Sequence, residues 1–198
     1  MYECTGCAQF GQTWGDAQTA GLGADIISDM SELQEKIATE FREQSCVRLT
    51  EMVNQLESCV GKLSDEQVWQ RGGEHENSVG NLILHLCGNM RQWVLHGIKG
   101  DKDVRVRDAE FACQGGQSGK ELMDQFRAVT TEVMQVIRAL PTERLMEWVE
   151  PQPGRPGKTI LGSIYQVVAH AHVHGGQIIV LTKQMVGKDL DLTIPRKR

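Results

Sequence analysis

The sequence contains no run approaching the ~20 consecutive apolar residues that a membrane-crossing helix requires. Even the apolar stretch around Ile178 is flanked by His174, Gln177 and Lys183. The N-terminus, MYECTGCAQF, lacks both the basic start and the apolar block of a signal peptide, so a cytoplasmic protein is expected. An excess of positive charge is missing too: 21 Lys and Arg stand against 26 Asp and Glu, a formal net charge of -5. Nucleic-acid affinity comes largely from neutralising phosphates with clustered Lys and Arg, so neither nucleic acid nor a membrane is an expected partner. The only dense basic run, Arg196-Lys197-Arg198, reads as a solvated tail. Period-two alternation of apolar and polar residues is absent as well, which leaves no candidate for a sheet.

Cysteine is present but sparse in pattern. Cys4, Cys7, Cys46, Cys59, Cys87 and Cys113 are scattered through 198 residues, a chain with enough core to dispense with disulfides, which fits a reducing compartment and packing thiols. Cys4 and Cys7 form a CxxC, but no second Cys or His pair lies nearby to complete a structural zinc site. Two thiols on a loose extension are the plainer reading.

What the sequence does have is helical period. Four segments carry apolar residues at steps of three and four, the spacing that gathers side chains onto one helical stripe. The first runs from Met30, Leu33, Ile37 and Phe41 through Leu49, Met52, Val53, Leu56 and Val60, and the second joins Val79, Leu82, Ile83, Leu86, Met90, Trp93 and Val94. Asn77 or Ser78 can cap the start of that second helix. The third holds Leu122, Phe126, Val129, Val133, Val136, Ile137 and Leu140 before Pro141 ends it. The fourth runs from Lys158 through Ile160, Ile164, Val167, Val168, Ala171, Ile178, Leu181 and Met185, with Gly187 as its stop. Helices with single apolar faces bury them only against one another, so the expected fold is all-α, a four-helix bundle. Residues 1–25 read as an N-terminal extension, 26–187 as the bundle and 188–198 as a C-terminal tail. The second connection, from Gly100 to about Gly119, is long enough to cross the bundle or cover its mouth. A short helix between Asp103 and Glu110 fits there.

Rotation about the helix axis sorts the histidines. His170 and His174 are one turn apart and about 40° apart around the axis, on the same stripe as Ile164, Val167, Ala171 and Ile178. His172 faces nearly the opposite way and is expected to be exposed. His85 lies beside Leu82, Leu86 and Trp93 on the second helix. Burying three imidazoles without partners costs on the order of several kcal/mol, because each carries a donor and an acceptor. A shared metal ion removes that cost, and three nitrogens leave a fourth position open, as in catalytic zinc sites. The zinc-protease pattern HExxH is missing, since Ala171 follows His170, and no Glu-x-x-His motif of a di-iron bundle occurs on these helices.

The segments SVGNLILHLCGNMRQW (78–93) and HAHVHGGQI (170–178) resemble the two signature helices of the DinB/YfiT-like metalloenzyme superfamily. They are most similar to an uncharacterised bacterial branch in which the first helix is followed by an RDxEF segment, here RDAEF at 107–111. The resemblance covers about residues 37–185. It implies a bundle of DinB/YfiT type, often a homodimer, with one divalent ion, zinc or nickel, at His85, His170 and His174. It further implies a small-molecule substrate and, from thiol-dependent S-transferases in the superfamily, a low-molecular-weight thiol as co-reactant.

The function expected on these grounds is a metal-dependent enzyme that activates a thiol or water, S-transferase-like. The alternatives are a metal-dependent hydrolase and a non-catalytic metal- or small-ligand-binding bundle. Asn89 and Gln177 each follow a ligand by about one turn and can orient it, a water or the substrate. Arg91 and Arg107 can receive a carboxylate bidentately, or equally pair with Glu110 or Asp108. Trp93 reads as core, and Cys87 points away from the ligand face. Gly175-Gly176 is costly inside a helix, ~1 kcal/mol per Gly relative to Ala, and leaves room for another helix or a ligand.

Overall fold

The computed structural model describes residues 19–192, with side chains from residue 29 onward. Cys4 and Cys7 lie outside the described residues. The chain divides into two units at Ile37 and Ala38. The described part of the first unit is the beginning of helix α1 (Thr19–Val60), so the sequence boundary near residue 25 falls inside a helix. Met30, Leu33 and Ile37 are exposed there, whereas Ala38, Cys46, Leu49, Met52, Leu56 and Cys59 are buried. The stripe that the sequence carries into the core from Met30 is therefore covered only from Ala38. Apolar spacing determines which side chains share a face, but a neighbour must still cover that face.

The second unit is a four-helix bundle. After α1 come the short α2 (Asp65–Trp69), then α3 (Val79–Met90), which continues without a break as a π-helical segment, Arg91–Lys99. Helix α4 (Arg107–Ala112) lies in the long connection, α5 (Gly119–Ala139) follows, and α6 (Ile160–Val186) ends the bundle. Three contacts set α1 and α5 antiparallel: the Cys46 thiol donates to the Met134 carbonyl at 3.8 Å, Glu57 pairs with Arg127, and Val60 packs on Gly119. Between α5 and α6 lie a 3-10 turn, Thr142–Met146, and a two-residue antiparallel ladder of β1 (Trp148–Val149) with β2 (Lys158–Thr159), Trp148 opposite Thr159. That ladder is the only strand pairing among the described residues. It also moves the start of the fourth helix from Lys158 to Ile160, with the Thr159 hydroxyl capping Gly162 N at 3.0 Å.

Helix α3 is buried on nearly every side, because α4, α5 and α6 all pack on it. Its start is a capping box: Ser78 Oγ accepts from Asn81 N, and Asn81 Oδ1 accepts from Ser78 N at 3.1 Å. Asn81 then donates through Nδ2 to the carbonyls of Glu110 at 2.8 Å and Cys113 at 2.7 Å. Arg71 donates to the carbonyls of Phe111 at 2.6 Å and Cys113 at 2.9 Å. These four bonds clamp the long connection against the first turn of α3 and the segment that leads into it. At the other end, Gly187 caps α6 in the left-handed conformation. Leu190, three residues further and inside the expected tail, is still buried. No helix among the described residues is long and apolar enough to cross a membrane.

Candidate metal centre

Buried packing of α3 against α6 carries His85 to His170 and His174, and the ligand nitrogens of the three lie within 4.8 Å of one another. The rings meet edge to face: centroids are 5.0 Å apart for His85 with His170, 5.0 Å for His85 with His174 and 4.4 Å for His170 with His174, with interplanar angles of 67°, 87° and 88°. His85 Nε2 lies 2.9 Å from His170 Nε2. Tetrahedral coordination at ~2.0–2.1 Å places ligand nitrogens roughly 3.3 Å apart, a spacing bracketed by these separations. Among the described residues the group has three ligands and no fourth.

Two of the three outer nitrogens, those of His85 and His174, have a partner that selects the tautomer. His85 Nδ1 lies 2.9 Å from Glu110 Oε2, and His174 Nδ1 lies 2.6 Å from Gln177 Oε1. Both oxygens accept, so both Nδ1 atoms carry the proton and both Nε2 lone pairs are free for an ion. Arg105 Nη2 also approaches His85 Nδ1 to 3.1 Å. With that proton directed at Glu110, the approach is a contact and not a donation.

Glu110 is a buried carboxylate held on three sides. Arg105 donates Nε to Oε1 at 2.7 Å and Nη2 to Oε2 at 2.9 Å, while its Nη1 donates to Gln92 Oε1 at 3.0 Å. Gln92 Nε2 donates in turn to Asp103 at 2.9 Å. Gly88, one turn after His85, makes this arrangement possible: a Cβ there would collide with Glu110 Oε1 and stand 2.9 Å from Arg105 Nε. Gly88→Ala is therefore expected to displace the carboxylate from His85 and lower metal affinity by ~10–100-fold, the range for losing an outer hydrogen bond to a ligand. Equilibrium dialysis against zinc measures it, and an unchanged affinity would contradict the role of the cleft.

The electrostatics disfavour charge on His170 and His174. Burial, followed by the nearby His174 and His85 and the charges of Arg105 and Arg107, pushes His170 down to about 4. Burial also lowers His174, against the hydrogen bond with Gln177. Burial pushes the Glu110 carboxyl up, but the hydrogen bonds from Arg105 and His85 outweigh it and hold the group below its ordinary range. Three imidazole nitrogens with an ionised carboxylate behind one of them are the donor chemistry that a divalent ion of zinc type takes.

The remaining sequence candidates separate. Gln177 touches the site, whereas Asn89 is buried with no side-chain hydrogen bond to a histidine among the described residues. Arg91 is exposed and lines a cavity of about 480 Å³ between α3 and the long connection, together with Leu84, Leu95 and Val104. None of the three histidines lines that cavity. Neither Arg91 nor Arg107 pairs with Glu110, because Arg105 occupies it. His172 is half-buried, not exposed, and donates Nδ1 to the Val168 carbonyl at 2.9 Å. The Cys87 thiol is buried and pushed up to about 12, first by burial, so it is no nucleophile. The two adjacent glycines divide their roles: a Cβ at Gly175 would collide with Met52 Sδ of α1, and one at Gly176 would meet nothing within 4 Å. Glu110 and Arg105 were not singled out as site residues from the sequence. The usable signal was chemical: a metal-ligating His needs an acceptor for its other nitrogen, and the RDAEF segment supplies a carboxylate.

Residues 36–198 match the model of a family described as a protein of unknown function, DUF1572. No curated protein matches the chain. Among solved structures, the chain is similar to a DinB-like protein from Bacillus cereus, with 20% identity, a TM-score of 0.53 and coverage of 75% of this chain and 92% of that one. It is also similar to a DinB-like protein, YjoA, from Bacillus subtilis, with 17% identity, a TM-score of 0.57 and coverage of 78% and 99%. A conserved protein from Enterococcus faecalis matches at 15% identity and a TM-score of 0.58, covering 74% and 97%. These likenesses show a shared fold, the DinB-like helical bundle.

Proposed function

The chain belongs to the DUF1572 family, and from that premise we propose that it is a divalent-metal-dependent enzyme whose three-His centre activates a thiol or a water. The observation that carries this reading is the convergence of His85, His170 and His174 with no fourth ligand among the described residues. A structural staple is usually closed by four protein ligands, whereas a site with three keeps a position for a reactant. Zinc or nickel held there would lower the pKa of a thiol or water reaching the open side. The protein's own part is positional. Glu110 and Gln177 hold the Nδ1 protons of His85 and His174, and so keep both Nε2 atoms directed at one point. The resemblance to thiol-dependent relatives favours S-transfer, with hydrolysis second. A homodimer belongs to the same proposal, and a monomer in light scattering would remove it.

The test compares metal-free and metal-reloaded protein against a panel of low-molecular-weight thiols and electrophiles. Metal-dependent turnover above the uncatalysed rate supports the enzyme. Full loading with no turnover for any thiol, but with ester or amide cleavage, moves the reading to a hydrolase. Full loading with neither leaves a binding bundle.

The metal-free protein should also show a defined acid dependence. His170 binds a proton at about 4 when folded and near ~6.5 when unfolded. Protons therefore favour the unfolded chain between those values. Stability should be level above ~6.5, fall as pH drops toward about 4, and level off below it as far as His170 contributes. Urea midpoints of the metal-free protein across this range, with His170→Gln as comparison, should show a shallower decline in the variant.

A further inference from the structure

Besides Arg71, which clamps the long connection, three arginines stand on or beside it, and the structure gives them different tasks. Arg105 is turned to its neighbours through all three nitrogens, with Nε and Nη2 donating to Glu110 and Nη1 to Gln92. Arg91 lines the cavity behind α3, which Arg105 and Glu110 line as well but none of the three histidines does. Arg107 is exposed, and among the described residues it makes no hydrogen bond or ion pair, although Asp108 is its neighbour in sequence. Its guanidinium lies over the ring of Phe111, 4.9 Å from the centroid, and that ring lies 4.8 Å from the ring of His85. Its charge is felt at His170. A guanidinium held over an aromatic ring by cation–π attraction does not use up its N–H donors.

The charge balance of the centre favours an anion. Glu110 is compensated by Arg105, and the three imidazoles are neutral ligands, so a divalent ion among them would have no protein anion in direct contact. Arg107 adds a further unpaired positive charge in a chain whose net charge is -5. Resting on the metal reading above, we propose that Arg107 receives a carboxylate of the substrate, so that the substrate is a small organic acid whose other end reaches the ion. The bland alternative is that Arg107 only covers Phe111. That role is satisfied by packing alone and predicts no preference for charge.

The experiment uses the full chain loaded with cobalt, whose visible spectrum reports ligands entering the coordination sphere, and titrates mercaptoacetate against the uncharged 2-mercaptoethanol. The wild type should prefer mercaptoacetate by about 10-fold, the size of one charge-assisted hydrogen-bonded contact at a partly exposed site. Arg107→Gln should lose that preference while retaining cobalt and its response to 2-mercaptoethanol, and Arg107→Lys should recover part of it. Loaded protein that answers both thiols equally, or an Arg107→Gln variant with undiminished preference, would overturn the assignment while leaving the metal centre intact. Failure to bind cobalt would overturn the metal reading and this inference with it, and a loaded protein whose spectrum is indifferent to both thiols would overturn this inference and the thiol reading while the metal centre stands.

Discussion

Replacing His85, His170 or His174 by Ala is expected to strip the protein of its metal, with affinity falling by more than ~100-fold in each case. The reasoning is comparative: outer-shell partners alone are worth 10–100-fold, and each of these residues is one of only three ligands among the described residues. The three variants should look alike in elemental analysis, since the site has no spare donor to substitute. His172→Ala is the internal control. Its ring is half-buried on α6, but Nδ1 donates to the Val168 carbonyl and the residue is no member of the cluster. It should keep full metal content. Unchanged occupancy in the three ligand variants would refute the centre, and loss of metal in His172→Ala would show that the effect is general damage to α6.

The second large effect is expected at Glu110, where the stability cost should exceed that at the ligands. Glu110→Ala leaves the Arg105 guanidinium buried, with a side-chain exposure of 5% and no compensating charge within the ion pair. Removing one member of a buried pair typically costs about 3–5 kcal/mol. It also frees His85 Nδ1, so metal affinity should fall by ~10–100-fold. Glu110→Gln separates the two effects: the amide oxygen can still accept from His85, but the charge that balances Arg105 is gone. Urea denaturation of the metal-free protein gives the stability change, and zinc dialysis gives the affinity. A Glu110→Ala variant as stable as wild type would mean that Arg105 finds water or another partner once the carboxylate is removed.

The family resemblance and the helical period were both legible in the chain because each depends on local spacing. Four stripes at three- and four-residue steps require four amphipathic helices, Pro141 and Gly187 mark two ends, and the one-turn separation of His170 and His174 follows from the rise and twist of any α-helix. Even the proximity of His85 was implied, since three imidazoles on apolar stripes need one another or a metal. Other features depended on where the long connection comes to rest, which no period encodes. Glu110 and Arg105 are 25 and 20 residues from His85 in the chain. They reach it because Asn81 and Arg71 clamp the connection onto α3 and because Gly88 leaves a cleft that only the approaching carboxylate gives a purpose. The separation of Arg91 from Arg107 belongs to the same class, as does the exposure of Met30, Leu33 and Ile37 despite their helical spacing. By itself the sequence determined the helices, their apolar faces and the three histidines that share those faces, because the backbone's own geometry sets how residues a turn apart are related. Only the tertiary structure decided which partners fix the ligand tautomers, which arginine stands beside the centre and which apolar faces are covered, because those outcomes come from contacts between segments that local geometry leaves free.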